Sequence, residues 1–164
     1  MTVAVIILAL VTLQRLGELV LARSNTRRLL ARGAVESGAE HYRFIVALHA
    51  AWLIGLWLLV WDRPVNLPLL LLFVLLQAGR VWVIATLGRR WTTRILTLPG
   101  EPLVRKGPFR FVSHPNYIVV AGELAVLPLA FGLPLYALVF TALNAVMMWV
   151  RIRCEQRALD AASA

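Results

Sequence analysis

Five stretches of the chain are almost continuously apolar: residues 3–22, 44–61, 67–87, 116–132 and 134–150. About 20 helical residues, at about 1.5 Å of rise each, cross about 30 Å of hydrocarbon. The pattern therefore predicts five membrane helices. The last two runs have 17 residues each and are separated only by the Phe131-Gly132-Leu133-Pro134 turn. That spacing predicts a helical hairpin packed on the other helices, one arm of which need not span fully. The first run is expected to be a retained helix and not a signal peptide. Met1-Thr2 carries no basic side chain, and Arg15 and Glu18 fall where a signal's apolar core would be ending.

Composition agrees with this pattern. The chain has 164 residues, 60% of them apolar, against about 45–50% in an ordinary globular domain. Mean hydropathy is +0.78. So short a soluble chain could not bury that much apolar surface, so the excess is expected to face lipid. The whole of 1–164 reads as a single membrane domain, with no internal repeat.

The net charge of +9 points at first to nucleic acid. The distribution argues against it, because the basic residues sit in blocks between the apolar runs, as juxtamembrane charge does. Residues 23–43 carry five Arg, 88–115 carry six Lys or Arg, and the tail after 150 carries three. With five alternating helices all three blocks lie on one side. The positive-inside rule makes that side cytoplasmic and puts the N-terminus outside. Cys154 is the single cysteine, and no zinc-type spacing is present, so neither an intramolecular disulfide nor a metal site is expected.

Polar residues inside the apolar runs each cost a few kcal/mol and need partners or a cavity. Arg15 and Glu18 are three apart and can pair. Gln77 and Arg80 share a face in the same way, and Arg80 could instead reach the interface. Glu123 needs a proton, a cation such as Arg80, or a polar cavity. Asn144 lies within the last run. Glu123, Asn144 and Arg80 are therefore the candidates for a substrate site or polar cavity. Trp52, Trp57 and Trp61 read as belt and packing aromatics, and His41 and His49 as packing or interfacial residues.

The connection 88–115 is long enough to suggest function. Arg94-Ile95-Leu96-Thr97-Leu98 can be extended, Gly107-Pro108 marks a turn, and Ser113 or His114 can cap the helix that Pro115 begins. The free N–H groups at such a helix start form a natural anion site. Along the last helix Asn144, Met148, Arg151 and Glu155 fall on one face.

Gly107-Pro108-Phe109-Arg110, then Ser113-His114-Pro115-Asn116-Tyr117, then Gly122, is similar to the signature of the isoprenylcysteine carboxyl methyltransferase superfamily. Its second block resembles Arg151-Ile152-Arg153-Cys154-Glu155 at the end of the last helix. The resemblance covers about 107–159. Upstream, Gln14-Arg15-Leu16-x-Glu18, His41-Tyr42 and Arg90-Trp91-Thr92-Thr93-Arg94 look like a bacterial branch that methylates alkylpyrones and alkylresorcinols. Phe109 and Ser113 depart from the usual Tyr and Arg, and the tail stops soon after Leu159.

The resemblance implies a membrane-embedded methyltransferase using S-adenosylmethionine. Gly107, Pro108, His114, Pro115, Tyr117 and Gly122 would bind the cofactor. Arg151 would orient the acceptor oxyanion. Glu155 would orient Arg151 or take a proton. The acceptor would be a lipophilic small molecule dissolved in membrane lipid: a long-chain polyketide, or a prenylcysteine-like carboxylate. The plain alternative for Arg151 and Glu155 is an interfacial anchor. At the level of the whole chain, the alternatives are an NADPH-dependent reductase on the same fold and a non-enzymatic multi-pass protein.

Overall fold

The structure, a computed structural model, describes residues 2–163, with side chains through Ala158. Its helices are α1 (Val3–Ala31), α2 (Ala39–Leu59), α3 (Leu67–Leu87), α4 (Pro115–Ala130) and α5 (Pro134–Ser163). Two 3-10 turns, Gly88–Arg90 and Gly107–Arg110, and a ribbon of β1 (Val35–Ser37) against β2 (Ile95–Thr97) complete the regular structure of the described residues. This is an all-α, multi-pass membrane protein. The broad apolar surface that soluble proteins avoid is present here: Leu58 and Leu135, for example, are 74% and 72% exposed.

α1, α2, α3 and α5 are long and apolar enough to cross a bilayer, while α4 has 16 residues, about 24 Å of rise. The expected hairpin forms, and α4 is its short arm. Its end is fixed by the turn at Gly132 (φ +67°), where the Leu133 N–H donates back to the Pro128 carbonyl at 2.9 Å. α4 is also the most enclosed helix. Val119, Val120, Leu124, Val126 and Leu127 are all buried, so it is packed on several faces. Of these, Val120, Leu124, Val126 and Leu127 join Leu8, Leu56, Val60, Phe73 and Phe131 in one core.

Two glycines set how closely helices approach. A Cβ on Gly122 would stand 2.9 Å from the Leu76 methyls of α3, and one on Gly55 would stand 2.3 Å from the Tyr136 hydroxyl. That hydroxyl donates to the Trp52 carbonyl at 2.7 Å, tying the start of α5 to the middle of α2.

α1 continues past its apolar run to Ala31. In this extension Ala22, Asn25 and Leu29 stay buried while Arg23, Arg27 and Arg28 point outward. Asn25 donates to the carbonyls of Gly88 and Trp91 at 3.1 and 2.9 Å, so the extension holds the start of the 88–115 connection. Part of what the charge pattern presents as a loop is therefore helix. The extended stretch expected near Arg94–Leu98 is β2. Its partner β1 pairs antiparallel in the register Val35↔Thr97, Glu36↔Leu96, Ser37↔Ile95. Glu36 also takes both 2.9 Å bonds from Arg94 Nη1. With Arg151 of α5 donating to the Thr93 carbonyl at 3.0 Å, all three basic segments meet at one end of the bundle, as five alternating helices require.

Six polar residues of the apolar runs, Gln14, Arg15, Glu18, Gln77, Arg80 and Glu123, find one another. Arg80 donates to both Glu18 oxygens at 2.7 and 2.6 Å and to Glu123 at 3.0 Å. Arg15 reaches Glu18 at 3.0 Å and Glu123 at 2.8 Å. Gln77 donates to Glu123 at 2.7 Å, and Gln14 bridges Gln77 and Glu18 at 2.8 and 3.0 Å. Arg80, at 7% exposure, does not reach for the interface. Two cations and two anions cancel, which is the condition under which charge tolerates this depth.

Gly55→Ala is expected to cost about 1–3 kcal/mol, because its methyl meets the Tyr136 hydroxyl. In a Tyr136→Phe background the same change costs less, and thermal unfolding of the double-mutant cycle in detergent measures that coupling. Arg80→Met leaves two carboxylates against one guanidinium, for an expected loss of about 3–5 kcal/mol. Adding Glu123→Leu restores the balance, and part of the lost unfolding midpoint returns in the same assay.

Candidate active site

At the basic end the chain is delivered to α4 by the Gly107–Arg110 turn. Gly107 has φ +57°, and a Cβ there would stand 2.5 Å from Thr86 Oγ1, so both conformation and space require glycine. Pro108 beside it is buried. Phe109 packs with Trp91, Ala22 and Val83, which makes the aromatic body at that position structural. Ser113 is exposed. His114 is the N-cap residue of α4 and Pro115 its first residue; no side chain caps the helix.

One turn of helix then sets two rings together. His114 stacks on Tyr117 with centroids 5.0 Å apart and planes 9° from parallel. The Tyr117 hydroxyl donates to Glu155 Oε2 at 2.5 Å and accepts from Arg151 Nε at 2.9 Å. The same Glu155 oxygen lies 3.6 Å from His114 Nδ1. Arg151 and Glu155 are one turn apart on α5, so a single face of that helix meets the first turn of α4. Four residues singled out in the sequence, His114, Tyr117, Arg151 and Glu155, thus form one cluster.

Arg151 is held from a second side. Its Nη2 donates to the Thr93 carbonyl, the Thr93 hydroxyl shares a 2.8 Å bond with the Tyr42 hydroxyl, and Arg94 lies over the Tyr42 ring at 4.9 Å. With Nε and Nη2 so engaged, Nη1 is left for a ligand. A planar guanidinium gripped at two nitrogens is suited to bind an oxyanion in one orientation.

The cluster opens into a cavity of about 220 Å³ that continues between the helices to the ion quartet. Arg151, Tyr117 and Thr93 line one part of it, and Arg15, Glu18, Arg80 and Glu123 another. Trp52, Trp91, Leu53, Val120, Leu124 and Met148 supply apolar wall. Arg80 and Glu123 are therefore on the cavity. Asn144 is not: it is 1% exposed, lies off the lining, and neither amide atom has a protein partner. Gly122 also stays off the cavity, its close approach being to Leu76.

Some lining residues had no clear local signal. Thr93 and Tyr42 belong to stretches that resemble the bacterial branch, but no spacing ties them to Arg151. Asn116, whose Oδ1 is buried without a partner, was visible only as the variable position of His-Pro-x-Tyr. His49 read as a packing or interfacial residue, and the structure puts it on the cavity wall.

Comparison with known proteins follows the same residues. The profile of the isoprenylcysteine carboxyl methyltransferase (ICMT) family matches residues 69–161, from α3 through the 88–115 connection into the last turns of α5. The uncharacterised protein YpbQ of Bacillus subtilis (strain 168) is 36% identical over 160 residues, 94% of this chain and 95% of its own. An uncharacterised protein of Haemophilus influenzae is 26% identical over 149 residues, 83% of each chain. No solved structure matches. The family match takes in more than half of the residues, among them His114, Tyr117, Arg151 and Glu155, and the chain belongs to the isoprenylcysteine carboxyl methyltransferase family.

Proposed function

We propose that the protein is an S-adenosylmethionine-dependent O-methyltransferase. It acts on a lipophilic acceptor, a long-chain polyketide such as an alkylpyrone or a prenylcysteine-like carboxylate. Its basic end faces the cytoplasm and its N-terminus lies outside the cell membrane. The observation that supports this best is the meeting of His114, Tyr117, Arg151 and Glu155, of which Tyr117 and Arg151 line a cavity that continues between the apolar helices. A polar, cytosolic methyl donor and a membrane-dissolved acceptor both have access to such a site.

The residues present suit the cofactor. The α4 N-terminus carries no side-chain cap, so its first-turn N–H groups and dipole favour a carboxylate. Beside them, Asn116 Oδ1 is a buried acceptor without a partner and can take a ligand N–H. Gly107, Pro108, His114, Pro115 and Tyr117 are assigned to hold the cofactor, with Gly122 seating α4 behind them. Residues 107–159 make up the cofactor and catalytic region. When bound, S-adenosylmethionine supplies an electrophilic methyl on a sulfonium sulfur.

The chain's own contribution is alignment and charge. Arg151 Nη1 holds the acceptor oxygen while the Tyr117 hydroxyl and Thr93 carbonyl fix the guanidinium plane. Glu155 takes the proton of a hydroxyl acceptor, or orients Arg151 through Tyr117 when the acceptor is already an anion. Trp91, Met148 and Val120 exclude water from the oxygen that attacks.

Isothermal titration of S-adenosylhomocysteine into detergent-purified protein is expected to show saturable binding, weakened about tenfold or more in His114→Ala. Glu155→Gln should keep binding within a few fold while lowering methyl transfer by about 10²-fold, the scale for one transition-state contact. Absence of binding to folded protein at about 1 mM ligand, only about −4 kcal/mol, or saturable NADPH binding in its place, would overturn the reading.

A further inference from the structure

The methyl-transfer cluster uses one part of the cavity. The part at membrane depth is lined by groups that the reaction leaves unused, chiefly Arg15 and His49. Hydrocarbon laid against them would remove their hydrogen-bonding possibilities without replacement, so this is a poor berth for a prenyl or alkyl chain.

The chemistry of the two side chains specifies something else. His49 Nδ1 lies 2.8 Å from the Ile45 carbonyl. A carbonyl oxygen only accepts, so Nδ1 bears the proton and the neutral ring presents Nε2 as an acceptor. Arg15 spends Nη1 on Glu18 and Nη2 on Glu123, and its Nε–H is not among these bonds. Donor and acceptor thus line one cavity. The wall around them has no net charge, since Arg15 and Arg80 cancel Glu18 and Glu123, and a neutral polar group fits it better than an ion.

We propose that Arg15 and His49 form a second binding subsite, at membrane depth, for a neutral hydroxyl of an amphiphilic ligand. The hydroxyl donates to His49 Nε2 and accepts from Arg15. That this ligand is the methyl acceptor rests on the methyl-transfer reading; the subsite itself does not. The acceptor is then a compact head with two oxygen functions, one at Arg151 and one at Arg15 and His49. Its hydrocarbon chain leaves sideways between helices into lipid.

Two probes that differ by one hydroxyl, hexylbenzene and 4-hexylphenol, test this through the saturable rise in unfolding midpoint of the detergent-solubilised protein. The expected result is tighter binding of 4-hexylphenol by about tenfold, or about 1.4 kcal/mol. The preference disappears in His49→Phe, persists in His49→Gln, which keeps an acceptor, and persists in Arg151→Ala. Equal affinities in the wild type, or a preference that survives His49→Phe and is lost in Arg151→Ala, would overturn the subsite. S-adenosylhomocysteine titration on the same preparations separates the two ideas. Its failure alone removes the methyl-transfer reading and leaves the subsite standing.

Discussion

Four charges inside the hydrocarbon govern this fold. Arg15, Glu18, Arg80 and Glu123 come from α1, α3 and α4, and none can be left unpaired at that depth without a penalty of several kcal/mol. Apolar packing between helices in lipid is only weakly directional, because lipid tails are as apolar as leucine. The ion quartet supplies the direction. It specifies which face of each of three helices turns inward, and the glycine contacts at Gly55 and Gly122 then set the spacing.

The position of the site follows from that constraint through α4. Tyr117, Val120, Glu123 and Leu124 all line the cavity, at the three-to-four-residue period of one helix face. Pinning Glu123 to Arg80 and Arg15 therefore also fixes where Tyr117 points, and with it the ring of His114. On the opposite side α5 brings Arg151 and Glu155, and the β1–β2 ribbon with Thr93 closes over Arg151. Membrane-depth ion pairing and the clustering of Tyr117 and His114 with Arg151 and Glu155 at the basic end are consequences of one helix orientation.

Much of this could be read from the chain. The apolar runs located the helices, because hydrocarbon thickness imposes a length that composition alone reports. The basic blocks foretold that segments far apart in sequence share one end. Arg15 with Glu18, and Glu123 with Arg80, could be paired on cost alone. His114, Tyr117, Arg151 and Glu155 were legible through family likeness, not through spacing, since no local period links α4 to α5. What escaped were interactions made by tertiary proximity. Val35-Glu36-Ser37 is too short to signal a strand. Nothing local says that Asn25 holds the Trp91 carbonyl, or that His49 borders a cavity and not a core. Asn144, a polar residue on the same helical face as Arg151, stands off the cavity, buried with no hydrogen-bond partner for its amide.

α5 runs without a break from the Tyr136 anchor on α2 to Glu155, and it serves as a ruler. Each helical residue advances the face by about 100°. An insertion or deletion of one residue between Tyr136 and Arg151 would swing Arg151 and Glu155 away from Tyr117 and His114, however conservative its chemistry. The irregular, mostly exposed stretch 99–106 absorbs length changes without such rotation. Homologous chains should therefore vary in length in that stretch and keep a constant residue count along α5, even where the lipid-facing side chains between the two anchors have changed completely.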